Sequence, residues 1–183
     1  TWFRDYLYIP LGGSKGGMWM KIRNTFIIFL VSGFWHGANW TFIIWGFLNA
    51  LYIMPSIIFN TNRNNLDIVA QGKHLPSFKE LGSILLTFSL TVFAWIFFRS
   101  ENLGEAVKYI SGIFSKSLFS VPQEINNTTV WYIFIFLIIE WIGREQHFAI
   151  EKIGLKLPPV VRLGFYYAIV IAILYFVGSE QEF

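Results

Sequence analysis

The stretch that decides the fold runs from residue 24 to residue 59 and reads NTFIIFLVSGFWHGANWTFIIWGFLNALYIMPSIIF. It is apolar and aromatic almost throughout, the composition of a segment that sits in hydrocarbon. Ser32, His36 and Asn39 interrupt it near its middle. An ionisable imidazole at such depth is costly and marks function by default. In a continuous helix Ser32 and His36 lie four residues apart and His36 and Asn39 three apart. A hydroxyl, an imidazole and an amide then share one face. Gly33 and Gly37 add the small-xxx-small spacing that lets another helix backbone come close. The polar stripe is therefore expected to face protein or a water-filled cavity.

The whole composition agrees. The chain is 55% hydrophobic, 20% aromatic and only 14% charged, with a mean hydropathy of +0.52, whereas a soluble domain carries about 25% charged residues. The fold class expected is all-α: a polytopic membrane helical protein with a buried histidine hairpin and an interfacial amphipathic helix. The net charge of +3 comes from basic residues scattered between apolar segments. They form no stripe, which argues against nucleic acid and for a cytoplasmic membrane surface. Cysteine is absent, so disulfides and thiol chemistry are excluded. No His/Cys/carboxylate cluster has metal-ligand spacing, and no bound cofactor is expected. The chain opens on Thr1 and ends GSEQEF, and reads as one domain cut from a longer protein.

Working outward, residues 1–23 mix aromatics with glycine. Trp2, Phe3, Tyr6, Tyr8 and Trp19 suit the headgroup level, and Pro10 with Gly12, Gly13, Gly16 and Gly17 predicts a turn-rich loop. GGSKGG lacks the phosphate-loop spacing and its Lys-Ser/Thr ending, so a plain flexible loop is expected there. Residues 24–35 alone are too short to cross about 30 Å of hydrocarbon. Counted from Arg23, His36 lies roughly 20 Å in. Residues 40–59 are long enough to cross, with Pro55 near the end. The Asn39-Trp40-Thr41 sequon has no meaning at that depth.

Residues 60–80 form a polar loop and 81–98 the clearest span, closed by Arg99. Asn102 and Glu105 have capping-box spacing ahead of a helix whose Leu103, Ala106, Val107, Ile110, Ile113 and Phe114 fall on one side. That pattern predicts an amphipathic helix at the interface. Residues 115–127 are loop, 128–143 a short span, 144–161 polar again, and 163–178 the last span. Lys and Arg support this map. The N-terminal segment and the loops 60–80 and 144–162 hold eleven of the fourteen. The positive-inside rule makes that side cytoplasmic and the 115–127 loop external. Residues 24–59 then enter and return, with His36 near the far bend.

WFRDYLYIPLGG, then Asn24, then SGFWHGANWTFIIWG resembles the signature of membrane-bound O-acyltransferases of the alginate O-acetylation type. FAWIFFR at 93–99 and the amphipathic helix after it are similar to that family's later region. The resemblance implies a multi-helix enzyme of the cell membrane, in bacteria the inner membrane, that passes an acyl group, acetyl first, to a hydroxyl of an envelope or extracellular polysaccharide. It implies an acyl donor on the cytoplasmic side as co-substrate, and as partners the lipid bilayer and the polysaccharide or a periplasmic acyltransferase. The histidine of the family's WHG motif is catalytic and falls on His36, with Trp35, Gly37, Asn39 and Ser32 as substrate-side neighbours. Two features depart from the pattern. A histidine that relatives carry upstream of WFRDY has no counterpart here, and where many relatives read Trp-Gly-x-x-His this chain has Trp45-Gly46-Phe47-Leu48-Asn49. Residues 1–183 correspond to the C-terminal portion of such a domain.

The chemistry is consistent. A neutral imidazole can take a proton from an alcohol, and hydrogen-bond donors can stabilise the oxyanion that develops on the acyl carbonyl. Asn39 either orients or donates there, or satisfies backbone groups. Ser32 has no acid–base pair beside it and reads as a polar lining residue. Arg4 and Asp5 are a structural pair or merely interfacial charges. His74 and His147 read as surface histidines, and Glu101 and Glu105 as solvated charges. Glu140 is the carboxylate to watch. Two readings compete with O-acetylation: D-alanyl transfer to a teichoic acid, and a transporter or scaffold subunit in which His36 gates a proton path. Matched helix breaks, the mark of transporter repeats, are absent. Gly37→Leu is expected to be more damaging than Gly46→Leu.

Overall fold

A computed structural model describes residues 2–61, 68–115, 127–151 and 158–177. Arg63, Asn64, Ser120 and most of the predicted external loop lie outside the described residues. Among the described residues the protein is all-α, with helices joined by turns and no strand. The chain divides into two compact units, Thr1–Val121 and Pro122–Phe183.

In the first unit, α1 (Gly17–His36) and α2 (Trp40–Ile58) form an antiparallel hairpin. α1 starts seven residues before the apolar stretch, because Gly17 is the last helix-breaking residue before MWMKIR. Its twenty residues measure roughly 30 Å, although α1 is not among the described helices both long and apolar enough to cross a membrane. His36 still lies about 20 Å beyond Arg23 along the axis.

The helices touch closely at two glycines, one on each helix. A Cβ on Gly33 would strike the carbonyl oxygen of Phe42, and one on Gly46 would strike that of Phe29. The small-residue contact therefore pairs Gly33 with Gly46, and Gly37 has no part in it. The single-face stripe is corrected for a related reason. Gly37 has φ +157° and ψ +153°, a region essentially closed to residues with a side chain, so α1 stops at His36. Asn39 lies beyond the break, as the N-cap of α2.

Residues 9–16 are turns, as Pro10 and the glycines imply, and the segment before them is helical. A π-helical turn, Arg4–Tyr8, leads the chain back along α1. Trp2 and Phe3 pack on Trp35, at ring-centroid distances of 5.9 and 6.4 Å, so the opening aromatics sit at the histidine end. Eleven residues on, the glycine turn meets Asn24. The Asn24 side chain is fully buried. Its Nδ2 donates to the carbonyls of Leu11 (3.1 Å) and Gly13 (3.0 Å), and its Oδ1 accepts from Arg23 Nε and Nη2. The glycine segment is thus clasped, not a plain flexible loop. Gly12 and Gly13 have positive φ, +96° and +55°, which the tight turn over Asn24 requires.

α3 (Phe78–Arg99) begins three residues before the predicted span, at a capping box formed by Ser77 and Glu80. Ser83, Thr87 and Thr91 each donate to the carbonyl four residues back, at 2.8–3.0 Å. That internal satisfaction lets hydroxyls lie on an apolar, exposed face. α4 (Leu103–Ile113) is capped by Asn102, whose Oδ1 accepts from the Glu105 N–H at 3.0 Å. Ala106 is its buried residue, whereas Val107 and Phe114 point outward. α4 is strongly amphipathic, as the sequence implied.

The second unit holds α5 (Asn127–Gly143) and α6 (Pro159–Val177). In it, Arg144 donates to the Trp141 carbonyl at 2.7 Å and lies over the Trp141 ring. Glu140 and His147 are exposed there, and His74 is exposed in the first unit. Among the described residues α2 and α3 are long and apolar enough to cross a membrane, and α5 and α6 contain shorter apolar helices, Thr128–Gly143 and Pro159–Tyr175.

Candidate active site

The end of α1 builds the site. His36 is its last residue, and three aromatic rings from two other helices wall the imidazole. Trp45 of α2 stands edge-on at 5.4 Å, Phe98 of α3 edge-on at 5.1 Å, and Phe42 of α2 lies at 6.3 Å. The wall is itself packed: Phe98 meets Phe42 at 5.0 Å, Trp45 at 5.2 Å and Trp95 at 5.0 Å. Such edge-to-face contacts fix ring orientation and contribute about 0.5–1.5 kcal/mol each beyond burial. The imidazole is held by shape. Neither ring nitrogen has a hydrogen-bond partner among the described residues, so both remain open to a hydroxyl.

The histidine was expected to be buried, and this is corrected: His36 is exposed in the first unit. The aromatic wall covers one flank of the ring, and the turn at Gly37 carries it to the rim of the hairpin.

The glycine at position 37 serves this wall. A Cβ there would lie 2.7 Å from Phe42 Cε2 and 3.0 Å from Cδ2. Its missing side chain therefore makes room for the ring that flanks the imidazole. Asn39 uses both ends of its amide. Oδ1 accepts from the Thr41 N–H at 3.2 Å, and Nδ2 donates to the Glu101 carbonyl at 2.8 Å. It thus ties the histidine turn to the α3–α4 turn across 62 residues of sequence. Trp35 is exposed and stacks on Trp2, and Ser32 is half-buried one helical turn before His36. Asn49 donates to the Trp45 carbonyl at 2.8 Å.

Sequence reasoning missed Phe98, Phe42 and Thr41. Thr41 is fully buried and its hydroxyl has no partner among the described residues, which is uncommon for a buried polar atom. Arg4 and Asp5 form an exposed pair, Nε to Oδ1 at 2.8 Å. The hydrogen bond from Arg4 holds the Asp5 carboxyl below its ordinary range.

The histidine turn lies inside a recognisable segment: residues 1–79 match the profile of MBOAT, the membrane-bound O-acyltransferase family. Over that segment the chain is similar to the membrane-bound O-acyltransferase family. It is a membrane protein. It is 32% identical over 154 residues to the "Probable alginate O-acetylase AlgI" of Pseudomonas aeruginosa, covering 81% of this chain and 27% of that protein. It is 37% identical over 110 residues to the "Peptidoglycan O-acetyltransferase" of Helicobacter pylori, covering 60% and 19%. A more distant match, 25% over 103 residues, is the "Teichoic acid D-alanyltransferase" of Lacticaseibacillus rhamnosus, covering 51% and 25%. The chain thus spans about a fifth to a quarter of the length of these relatives. No solved structure matches it.

Proposed function

We propose that the chain is part of a membrane O-acyltransferase that moves an acyl group, acetyl in the first instance, to a hydroxyl of an envelope or extracellular polysaccharide. The observation that carries this reading is His36: an accessible imidazole oriented by Trp45, Phe42 and Phe98 in a membrane O-acyltransferase segment. Its neutral ring nitrogen takes the proton of the acceptor hydroxyl as that oxygen attacks the acyl carbonyl. The new ester C–O bond forms, the bond from acyl carbon to donor breaks, and the proton passes to the departing donor. No cofactor is needed beyond the acyl donor as co-substrate.

The donor approaches from the cytoplasmic side in this proposal. A cavity of about 540 Å³ lined by Tyr8, Ser14, Lys21, Thr25 and Asn60 supports that direction. Lys21 lies fifteen residues before His36 on α1, roughly 22 Å away along the axis, on the side rich in Lys and Arg. The protein is multi-pass in the cell membrane, the inner membrane in a bacterium. The acceptor, a polysaccharide or a periplasmic acyltransferase that relays the group, meets His36 from the other side.

The test uses the full-length protein in its host. His36→Ala should abolish acylation of the envelope polymer while membrane insertion and abundance stay at the wild-type level. Wild-type acylation in that variant refutes the reading. The mass of the group added separates acetyl from D-alanyl transfer.

A further inference from the structure

A groove of about 500 Å³ opens where the last turns of α3 meet α4, away from the cavity at the other end of α1. Its lining changes character along its length. Val92, Trp95 and Ile96 give an apolar wall, and Arg99, Glu105 and Tyr109 give a polar rim. Val92, Trp95 and Tyr109 are all substantially exposed, so the wall is reachable from the lipid phase. Arg99 closes a helix long and apolar enough to cross a membrane, and α4 has the amphipathic build of a helix at the headgroup level.

The rim carries the informative charges. Arg99 and Glu105 line one groove, yet they do not pair with each other. Neither side chain has an ion pair or hydrogen bond with any other described residue. Two opposite charges that share a rim but stand beyond ion-pair distance fit a ligand that is itself a dipolar ion. We propose that this groove binds one zwitterionic aminophospholipid. Its phosphate meets the Arg99 guanidinium, which suits phosphate oxygens. Its ammonium donates to the Glu105 carboxylate, and an acyl chain lies along Val92, Trp95 and Ile96. Glu105 disfavours an anionic headgroup by repulsion. A quaternary ammonium has no N–H to donate to that carboxylate, so phosphatidylcholine fits less well than phosphatidylethanolamine. This inference stands apart from the acyl-transfer reading, since none of these groups acts on the reacting atoms.

The test is lipid retention by the purified full-length protein, read by native mass spectrometry. Phosphatidylethanolamine, phosphatidylcholine and phosphatidylglycerol with identical acyl chains are offered in equal amounts. Exposed ion pairs are worth about 0.2–1 kcal/mol, so the wild type should retain phosphatidylethanolamine about 1.4- to five-fold over the other two. Glu105→Gln should remove that preference, and Arg99→Gln should lower retention of all three. Monodispersity and an unchanged melting midpoint certify that each variant is folded. Equal retention of the three lipids by the wild type, which needs no variant at all, overturns the proposal. So does an undiminished preference in folded Glu105→Gln.

Discussion

Asn39 offers a direct test of how the histidine turn is held, because its two hydrogen bonds can be removed separately. Oδ1 caps α2 through Thr41, and Nδ2 clamps the turn to the Glu101 carbonyl. Asn39→Ala removes both. Loss of an N-cap costs about 0.5–2 kcal/mol, and the clamp, reachable by water, adds about 0.5–1.5 kcal/mol as a net hydrogen bond. Asn39→Ser keeps a capping oxygen and loses only the clamp, so its cost should stay within about 0.5–1.5 kcal/mol. The assay is thermal unfolding of the purified full-length protein beside acylation of the envelope polymer. If the clamp matters because it holds Phe98 and His36 in register, Asn39→Ser should lose activity nearly as far as Asn39→Ala while keeping most of the stability. A displacement of about 1 Å near a reacting centre can cost on the order of 100-fold in rate. Asn39→Ser with wild-type activity would refute the reasoning and leave Asn39 as a helix cap alone.

Other outcomes follow from the same geometry. Gly37→Ala should strain a backbone that only glycine adopts readily, at about 1–3 kcal/mol, and push Phe42 off the imidazole; acylation assays should then fall well below wild type in folded protein. Gly46→Leu should be the more destabilising of the glycine variants by thermal unfolding, because its side chain would enter the Phe29 backbone. Asn24→Ala should lower stability by about 2–4 kcal/mol, since it strands the Leu11 and Gly13 carbonyls; an unchanged unfolding midpoint would show that the glycine turn holds itself. For topology, cysteine at Ser115 should react with an impermeant thiol reagent in intact cells and cysteine at Leu75 should not.

What the sequence made legible was local. Helical lengths and apolar runs located α2, α3 and the apolar helices of the second unit to within a few residues. The histidine stood out because one imidazole in an apolar stretch is conspicuous. Contacts between distant residues were not legible. Nothing in the order of residues marks Phe98 as a partner of His36, since the two meet only when α3 folds across the hairpin. Asn24 looked like the polar start of a span, yet its amide is spent on a turn eleven to thirteen residues earlier. The stripe of Ser32, His36 and Asn39 failed at one residue, because helix periodicity assumes a continuous backbone and Gly37 interrupts it. The Ser77–Glu80 box was present in the sequence, but the polar run around it reads as loop until the cap geometry is seen.

Three separate restraints converge on the imidazole, and they act on different degrees of freedom. The Gly33–Gly46 contact sets the distance between α1 and α2, and with it the depth at which Trp45 meets His36. Gly37 sets the direction in which the chain leaves α1 and admits the Phe42 ring. The Asn39 clamp sets where the end of α3, and therefore Phe98, stands relative to that turn. A general base needs its ring plane fixed and its nitrogens free. Hydrogen-bonded second partners usually fix the plane, but they occupy a nitrogen in doing so. Here edge-on aromatic contacts fix it and leave both nitrogens unoccupied among the described residues. Either nitrogen can therefore accept the proton of an incoming hydroxyl.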